Sequence, residues 1–348
     1  MIQPRHRHPI AIGLLGAPKV RVAAVNARQD TTRTPMPRVR AWAFCLSSCV
    51  GLLVGCDQRV ESPTASRPTD SRTVVTSFYP LAFFAQQIAG DRVIVKSLCP
   101  PEADPSLWNP SRADLQQFQN ASLILLNGAN FEHWATTASL PVGRVIATSR
   151  AFVSEWMTLP TVVHSHGSGG GHTHSGIDGH TWMDPVLAHR QAAEILAAFN
   201  QRWPEDTSTF KAGFDRLAVE FDALGSAFRD ITPGIKEAVI FTSHPAYGYL
   251  ARRFGWTTTS LALPPDEEPS PEVWVEVAKA VAAAPPGLRL MLFETEPLQA
   301  IRQRLQTEWQ VTAVVFQTCE TPAQDGSYFE RMKRNIESLR GAVSQAHP

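Results

Sequence analysis

The sequence predicts an α/β fold in which two lobes, each a parallel sheet with flanking helices, are joined by one long helix. Short apolar runs alternate with amphipathic stretches on both sides of a middle segment, and that segment carries a hydrophobic stripe at helical spacing. The 348 residues also exceed what one hydrophobic core usually holds. The formal net charge is zero and the body has no block of lysine or arginine, which argues against nucleic acid as a partner.

The N-terminal region is predicted to be an export signal that spans residues 1–56. Arg38 and Arg40 precede an apolar run over residues 41–54, which is too short for an ordinary transmembrane helix. The run ends in Leu-Val-Gly-Cys, which resembles a bacterial lipobox, so Cys56 is the expected lipidation site. An uncleaved anchor helix is the alternative, and residues 1–35 are either an extended signal or precede the true start.

The first lobe is predicted over residues 74–185, after a polar linker rich in Ser, Thr and Pro over residues 57–73. A helix over residues 80–89 begins with Pro80 and stops at Gly90, and Ser111 is a suitable cap for the next helix. A further short helix is predicted over residues 131–137. The predicted strands cover residues 74–78, 93–98, 123–126 and 145–148.

The long helix between the lobes is predicted over residues 186–231. Phe210, Phe214, Leu217, Phe221, Leu224 and Phe228 follow one another in steps of four and three, which is typical of a buried helix face. The second lobe, residues 232–348, repeats the alternation. Its predicted strands cover residues 238–242, 257–261, 288–293 and 311–316, and its helices 246–254, 271–283, 298–309 and 328–344.

The most unusual stretch is a histidine-rich segment over residues 164–185. It contains His164, His166, His172, His174 and His180, spaced mostly by Ser, Thr and Gly. Neutral imidazole is the commonest protein ligand for zinc, and a Gly-rich loop would let several rings turn toward one ion. Composition alone leaves open a solvated loop whose histidines have no function.

Polar residues follow several strands of the second lobe. His244, the pair Glu294 and Glu296, and Cys319-Glu320 each come after a predicted strand, and ligands of open α/β sheets bind beyond the carboxyl ends of strands. An imidazole with one carboxylate suits a zinc site. A hydrogen-bonded loop histidine and a solvated acidic loop are the alternatives. Cys99 and Cys319, the two cysteines of the body, could bridge, stay separate or bind metal.

Six motifs, in their order along the chain, resemble the metal-binding lipoproteins of bacterial ABC importers for zinc and manganese, the zinc-uptake and streptococcal-adhesin type of solute-binding protein. The resemblance runs from Val74 to about Leu339. The motifs are Thr-Ser-Phe-Tyr-Pro-Leu at 76–81, Ile-Ala-Gly-Asp at 88–91, Asn-Gly at 127–128, His-Thr-Trp-Met-Asp-Pro at 180–185, Thr-Ser-His at 242–244 with Tyr-Gly-Tyr at 247–249, and Phe-Glu-Thr-Glu-Pro at 293–297.

The resemblance implies a metal between the lobes, held by histidines and a carboxylate from both. His180 and His244 match the family's histidine positions. For the acidic ligand the resemblance favours Glu294 or Glu296, whereas Glu320 lies where manganese-type members carry an aspartate.

The chain departs from the family at Ser106, which stands where the first lobe usually supplies a histidine in Asp-Pro-His. A serine hydroxyl is a poor zinc ligand, so a replacement is expected. In order of preference it is a loop histidine such as His172 or His174, a thiolate from Cys99 or Cys319, or water.

The expected function is capture of Zn²⁺ by a monomeric lipoprotein, anchored on the periplasmic or extracellular face of the membrane, that delivers the ion to an ABC permease. The histidine-rich segment favours zinc over manganese, although copper and nickel also bind imidazole. The alternatives are a manganese-binding protein, a metal chaperone, a surface adhesin with structural metal, and a metal-dependent hydrolase. The sequence lacks His-Glu-x-x-His, Gly-x-Ser-x-Gly and a phosphate loop, so we expect no enzyme.

Overall fold

The computed structural model describes residues 72–165, 171–322 and 326–346. The predicted signal region, the lipidation site Cys56 and His166 lie outside the described residues. Within the described part of the chain, no helix combines the length and the apolar character needed to cross a bilayer.

The first lobe contains a four-stranded parallel sheet with the strand order β2-β1-β3-β4. Pro80 lies in the first turn of its first helix, and Ser111 and Asp114 form a reciprocal capping box at the second. The elements are β1 (Thr73–Thr76), α1 (Tyr79–Ala89), β2 (Ile94–Ser97), α2 (Arg112–Asn120), β3 (Leu123–Leu126) and β4 (Val145–Ala147). The residues predicted as a short third helix form a 3-10 turn, His133–Thr136.

The histidine-rich segment was predicted as a loop, and this was wrong for residues 164–165 and 171–177. These residues belong to an antiparallel pair of strands, β5 (Thr158–Ser165) and β6 (Gly171–Ile177), with His164 opposite His172 and Val162 opposite His174. The β-branched residues Thr161, Val162 and Val163 supply the strand propensity that the histidine count obscured.

The segment predicted as one inter-lobe helix over residues 186–231 contains two helices, α3 (Pro185–Arg202) and α4 (Thr207–Lys236). The break falls at Trp203-Pro204, because proline disfavours a helical conformation in the residue before it, and Trp203 has φ −136° and ψ 68°. The two helices pack antiparallel, with ring centroids 5.1 Å apart for His189 and Phe214 and 5.3 Å apart for Phe199 and Phe210.

The second lobe repeats the first, with a parallel sheet of order β10-β9-β7-β8. In both sheets the order reverses between the first and third strands, β1 and β3 or β7 and β9, where ligands of such sheets bind. This confirms the predicted fold class. The elements are β7 (Val239–Thr242), α5 (Gly248–Phe254), β8 (Thr258–Ser260), α6 (Pro271–Ala283), β9 (Arg289–Phe293), α7 (Gln299–Trp309), β10 (Val311–Val315) and α8 (Tyr328–Ala346).

Helices α1, α4 and α8 pack together through aromatic side chains. Phe84 of α1 lies 5.3 Å from Phe221 of α4 and 5.1 Å from Tyr328 of α8, measured between ring centroids. These three side chains belong to a buried cluster that also includes residues of both sheets, among them Val74 and Ile240. One hydrophobic cluster therefore extends through both lobes.

Gly213 of α4 permits a close contact with α1. A Cβ atom at this position would lie 2.6 Å from the carbonyl oxygens of Gln87 and Ile88, which are backbone atoms and cannot rotate away. We expect Gly213→Ala to destabilise the protein by about 1–3 kcal/mol through overpacking, although alanine has the better helix propensity by about 1 kcal/mol.

Urea unfolding measures this change, and Gly341→Ala in α8 is the matched control, since nothing lies within 4 Å of a Cβ there. The control variant should be as stable as the wild type or slightly more stable. A Gly213→Ala protein that also matched the wild type would contradict the proposed packing.

Candidate functional site

The carboxyl ends of the second lobe's strands carry the polar residues singled out in the sequence. His244 follows β7, Glu294 follows β9 directly, and Glu320 lies beyond β10. Because β7 and β9 flank the reversal of strand order, His244 and Glu294 lie at the position where ligands of such sheets bind.

His180 comes to the same place from the end of the first lobe, just before a 3-10 turn over Thr181–Met183. The rings of His180 and His244 meet edge to face, with centroids 5.4 Å apart. Both residues are buried, with 4% and 7% of their surface exposed. The structure thus brings the two predicted histidines together from different lobes.

Asp178 fixes the orientation of His180. Its Oδ1 atom accepts a hydrogen bond from the His180 backbone N–H at 2.9 Å and lies 2.8 Å from Nδ1 of the ring. Since an ionised carboxylate only accepts, Nδ1 is the donor, and Nε2 is the nitrogen left to bind a ligand. Sequence reasoning missed Asp178, although a carboxylate two residues before a candidate metal-binding histidine was a usable signal.

The charges around His180 favour its protonated form in the metal-free protein. Burial lowers the pKa of the ring, but the hydrogen bond and charge of Asp178, with the charges of Glu320 and Asp104, outweigh burial and raise it. Oε1 of Glu320 lies 3.9 Å from Nε2 of His180. A carboxylate therefore stands beside the nitrogen that is available for a ligand.

Glu294 and Glu320 lie close enough to interact unfavourably. Burial, followed by the charges of Glu320 and Asp104, raises the pKa of Glu294 to about 8, against an opposing effect of His180. Burial also raises the pKa of Glu320, with His180 opposing and Asp104 adding to the shift. Carboxyl groups held in this way would be stabilised by a cation placed between them.

Glu296 is placed differently from Glu294. Both residues lie outside the strand, because β9 ends at Phe293. The side chain of Glu296 is 68% exposed and pairs with Arg302. The structure thus brings Glu294, rather than Glu296, towards the histidines.

Asp104 acts on the site from the first lobe, in the loop after β2. Its charge contributes to the raised pKa values of His180, Glu294 and Glu320. Its Oδ1 atom accepts hydrogen bonds from Ser106, at 2.8 Å from the backbone N and 2.7 Å from Oγ. Ser106 therefore holds Asp104 in place. Sequence reasoning weighed Ser106 and overlooked the aspartate of the same Asp-Pro-Ser motif.

The two cysteines are buried and are not joined by a disulfide. Sγ of Cys99 lies 3.6 Å and 3.9 Å from the carbonyl oxygens of Pro100 and Ala103. Burial, with the charges of Asp104, Glu320 and Glu102, raises the pKa of the Cys99 thiol to about 12. Deprotonating Cys99 to bind metal is therefore costly in this environment.

In the described ranges, no three His, Cys, Asp or Glu side chains lie close enough together to bind one ion without rearrangement. Donor atoms of a tetrahedral zinc site are about 3.3 Å apart, and the 3.9 Å between Nε2 of His180 and Oε1 of Glu320 is slightly longer than this spacing. Two imidazoles with nearby carboxylates have the right chemistry for a divalent transition-metal ion.

Comparison with known proteins gives a family match over most of the chain. The model of a family described as zinc-uptake complex component A, periplasmic, matches residues 74–342. The high-affinity zinc uptake system protein ZnuA of Bacillus subtilis is 26% identical over 310 residues, which cover 86% of this chain and 96% of ZnuA. The zinc-binding lipoprotein AdcA of Streptococcus pneumoniae is 25% identical over 313 residues, 87% of this chain but only 60% of AdcA.

Solved structures agree with this fold. The metal-dependent lipoprotein YcdH of Bacillus subtilis superposes with a TM-score of 0.66 at 25% identity, over 77% of this chain and 98% of YcdH. The Zn(II)-bound ZnuA-like domain of Streptococcus pneumoniae AdcA gives 0.65 at 23% identity, over 78% of this chain and 99% of that domain. At 23% identity, the likeness to the AdcA domain concerns the fold alone.

The raised pKa of Glu294 predicts how the stability of the metal-free protein depends on pH. The folded protein holds a proton up to about pH 8 that the unfolded chain loses near its ordinary value of 4.5. The contribution of Glu294 to the free energy of unfolding is therefore fully present below about pH 4.5. It is lost as the pH rises to about 8, at up to about 1.4 kcal/mol per pH unit.

Urea unfolding in chelator from pH 5 to 8 tests this dependence. Glu294→Gln should flatten the fall in the free energy of unfolding, whereas Glu296→Gln, at an exposed position, should leave the slope unchanged. Equal slopes in the wild type and Glu294→Gln would show that Glu294 ionises normally.

Proposed function

Because the chain belongs to the family of zinc-uptake complex component A, periplasmic, we propose that it captures zinc outside the cytoplasm and delivers it to an ABC importer. The observation that carries the proposal is the pairing of His180 and His244, two buried imidazoles 5.4 Å apart where strand order reverses. Zinc is the cargo of this protein, and binding and release replace turnover.

The proposed ligands are Nε2 of His180, the ring of His244 and the carboxylate of Glu294, with Glu320 beside them. Their environment supports this set, because like charges and burial raise the pKa of both carboxyl groups. A divalent cation would offset this repulsion and displace the protons. Zinc affinity should therefore fall as the pH falls.

We infer that oxygen, rather than nitrogen, replaces the missing first-lobe histidine. Asp104 is the proposed replacement, because its charge acts on His180, Glu294 and Glu320. Hydrogen bonds from Ser106 hold its carboxylate in place. The histidines of the histidine-rich segment then raise the local zinc concentration instead of completing the site.

An oxygen-rich site also supports a second candidate cargo. Manganese prefers oxygen donors, and three carboxylates around two imidazoles would weaken the discrimination against it. Manganese uptake is therefore the alternative that the geometry favours over hydrolysis or a purely structural metal.

Delivery requires the protein to meet a permease at the membrane. We propose that lipid on Cys56 anchors a monomer at the cell envelope. The linker after Cys56 would let the folded part of the chain extend from the membrane surface to the permease. The Ser, Thr and Pro content of residues 57–73 supports a linker of this kind.

Zinc titration calorimetry tests the assignment. We expect His180→Ala and His244→Ala each to lower the affinity at least a hundredfold, because each removes a ligand from a buried site. Equal affinities in these two variants and the wild type would refute the proposed site.

The same titration distinguishes the contributions of the individual carboxylates to zinc affinity. Glu294→Gln should weaken binding more than tenfold and Asp104→Asn by a smaller factor, whereas Glu296→Gln should match the wild type, since Glu296 pairs with Arg302 at the surface. A loss in Glu296→Gln as large as that in Glu294→Gln would overturn the choice between the two.

A further inference from the structure

A buried hydrogen-bond network in the first lobe surrounds the residues on either side of His180. Its side chains are at most 5% exposed, and none of them is a proposed metal ligand. Its members are Asn127, Glu132, Thr148, Thr181 and Gln191.

Asn127, which directly follows β3, contacts both neighbours of His180. Its Nδ2 atom donates to the carbonyl oxygen of Gly179 at 2.8 Å. Its Oδ1 atom accepts from the hydroxyl of Thr181 at 2.9 Å. One amide side chain therefore holds the backbone before His180 and the side chain after it, and only an amide offers a donor and an acceptor in this form.

Asn127 is itself fixed from two sides. Nε2 of Gln191, on α3, donates to Oδ1 of Asn127 at 2.8 Å and to Oγ1 of Thr148 at 2.9 Å. The backbone N–H of Asn127 donates to Oε1 of Glu132 at 2.6 Å. The position of the amide is thus set by a helix and by the loop after β3.

Glu132 ties the ends of β1 and β3 together. Besides Asn127, it accepts from the hydroxyl of Ser77 at 2.5 Å and from the backbone N–H of Gly128 at 3.0 Å. All three partners donate, so the carboxyl group serves as an acceptor throughout. This bonding gives Asn127 a rigid base at the reversal point of the first sheet.

Gly179 packs closely against Phe131 of the first lobe. A Cβ atom there would lie 2.9 Å from Cδ2 and 3.3 Å from Cα of Phe131. The contact with Phe131 and the hydrogen bond from Asn127 together restrict the backbone conformation of the segment that carries His180.

We propose that Asn127 is a positioning residue for the metal-binding histidine His180, acting through Gly179 and Thr181. The effect on zinc affinity rests on the function proposed above, whereas the effect on the His180 ring does not. Asn127→Asp keeps the shape but places an acceptor against the carbonyl oxygen of Gly179. Thr181→Val removes the hydroxyl that donates to Oδ1 of Asn127 at 2.9 Å and that lies 3.3 Å from Oε1 of Gln191.

Two measurements on the full chain test the proposal. The first is zinc affinity by competition calorimetry, and the second is the NMR signal of the His180 imidazole in zinc-free protein, assigned by its loss in His180→Ala. The control is Val277→Ala, a buried position in a separate core cluster around α6.

We expect Asn127→Asp to lower zinc affinity about 10- to 100-fold and Thr181→Val several-fold. Both should shift the His180 ring signals, while Val277→Ala lowers stability with affinity within twofold of wild type and unchanged signals. If Asn127→Asp does not fold, Thr181→Val decides alone.

Unchanged His180 signals in Thr181→Val, or in a folded Asn127→Asp protein, would overturn the proposal, as would equal shifts in Val277→Ala. If the wild type binds no zinc, the proposed function fails, but the zinc-free signals still decide whether Asn127 positions His180.

Discussion

The 178–184 segment is held by both lobes at once, and the candidate site depends on this. Trp182 is fully buried, its Nε1 atom donates to the carbonyl oxygen of Thr318 at 2.8 Å, and its own carbonyl accepts from Tyr328 at 2.6 Å. At the ends of the segment, Tyr249 donates to the carbonyl oxygen of Asp178, and Arg253 binds the carboxylate of Asp184. His180 therefore belongs to the first lobe by sequence but is presented to the second.

This arrangement has an electrostatic cost in the metal-free protein. Two imidazoles and several carboxyl groups are drawn into one region, and burial with like charges raises the pKa of Glu294 to about 8. A ligand that binds the folded state alone adds to its stability. A divalent cation would remove the repulsion, so the side chains that repel one another in the metal-free protein would favour metal binding.

Local signals in the sequence predicted most of the fold. The bounds of α6 and β3 follow from a proline at the helix start and a short apolar run, and both agree with the structure. The helix predicted over residues 186–231 is interrupted at Trp203-Pro204, and the two helices that result pack against each other through tertiary contacts. The strands β5 and β6 were missed because the histidine count suggested a loop.

The candidate site was predictable only in part. His180 and His244 were found from motifs, and the structure brings them together. Asp104 was missed because its role depends on which loops meet in space, whereas Asp178 was missed although it acts on His180 from only two residues away. Glu294 and Glu296 could not be distinguished, because both follow the strand that ends at Phe293, and the pairing of Glu296 with Arg302 at the surface is a tertiary contact. The complete ligand set remains a prediction.

A crystal structure of the zinc-soaked protein, with anomalous data at the zinc edge, tests the central claim most directly. The account predicts one strong peak between the lobes, about 2.0–2.1 Å from Nε2 of His180 and from a ring nitrogen of His244, with carboxylate oxygen at about 2.0–2.2 Å. Zinc bound only by histidines of β5 and β6, with no peak between His180 and His244, would contradict it.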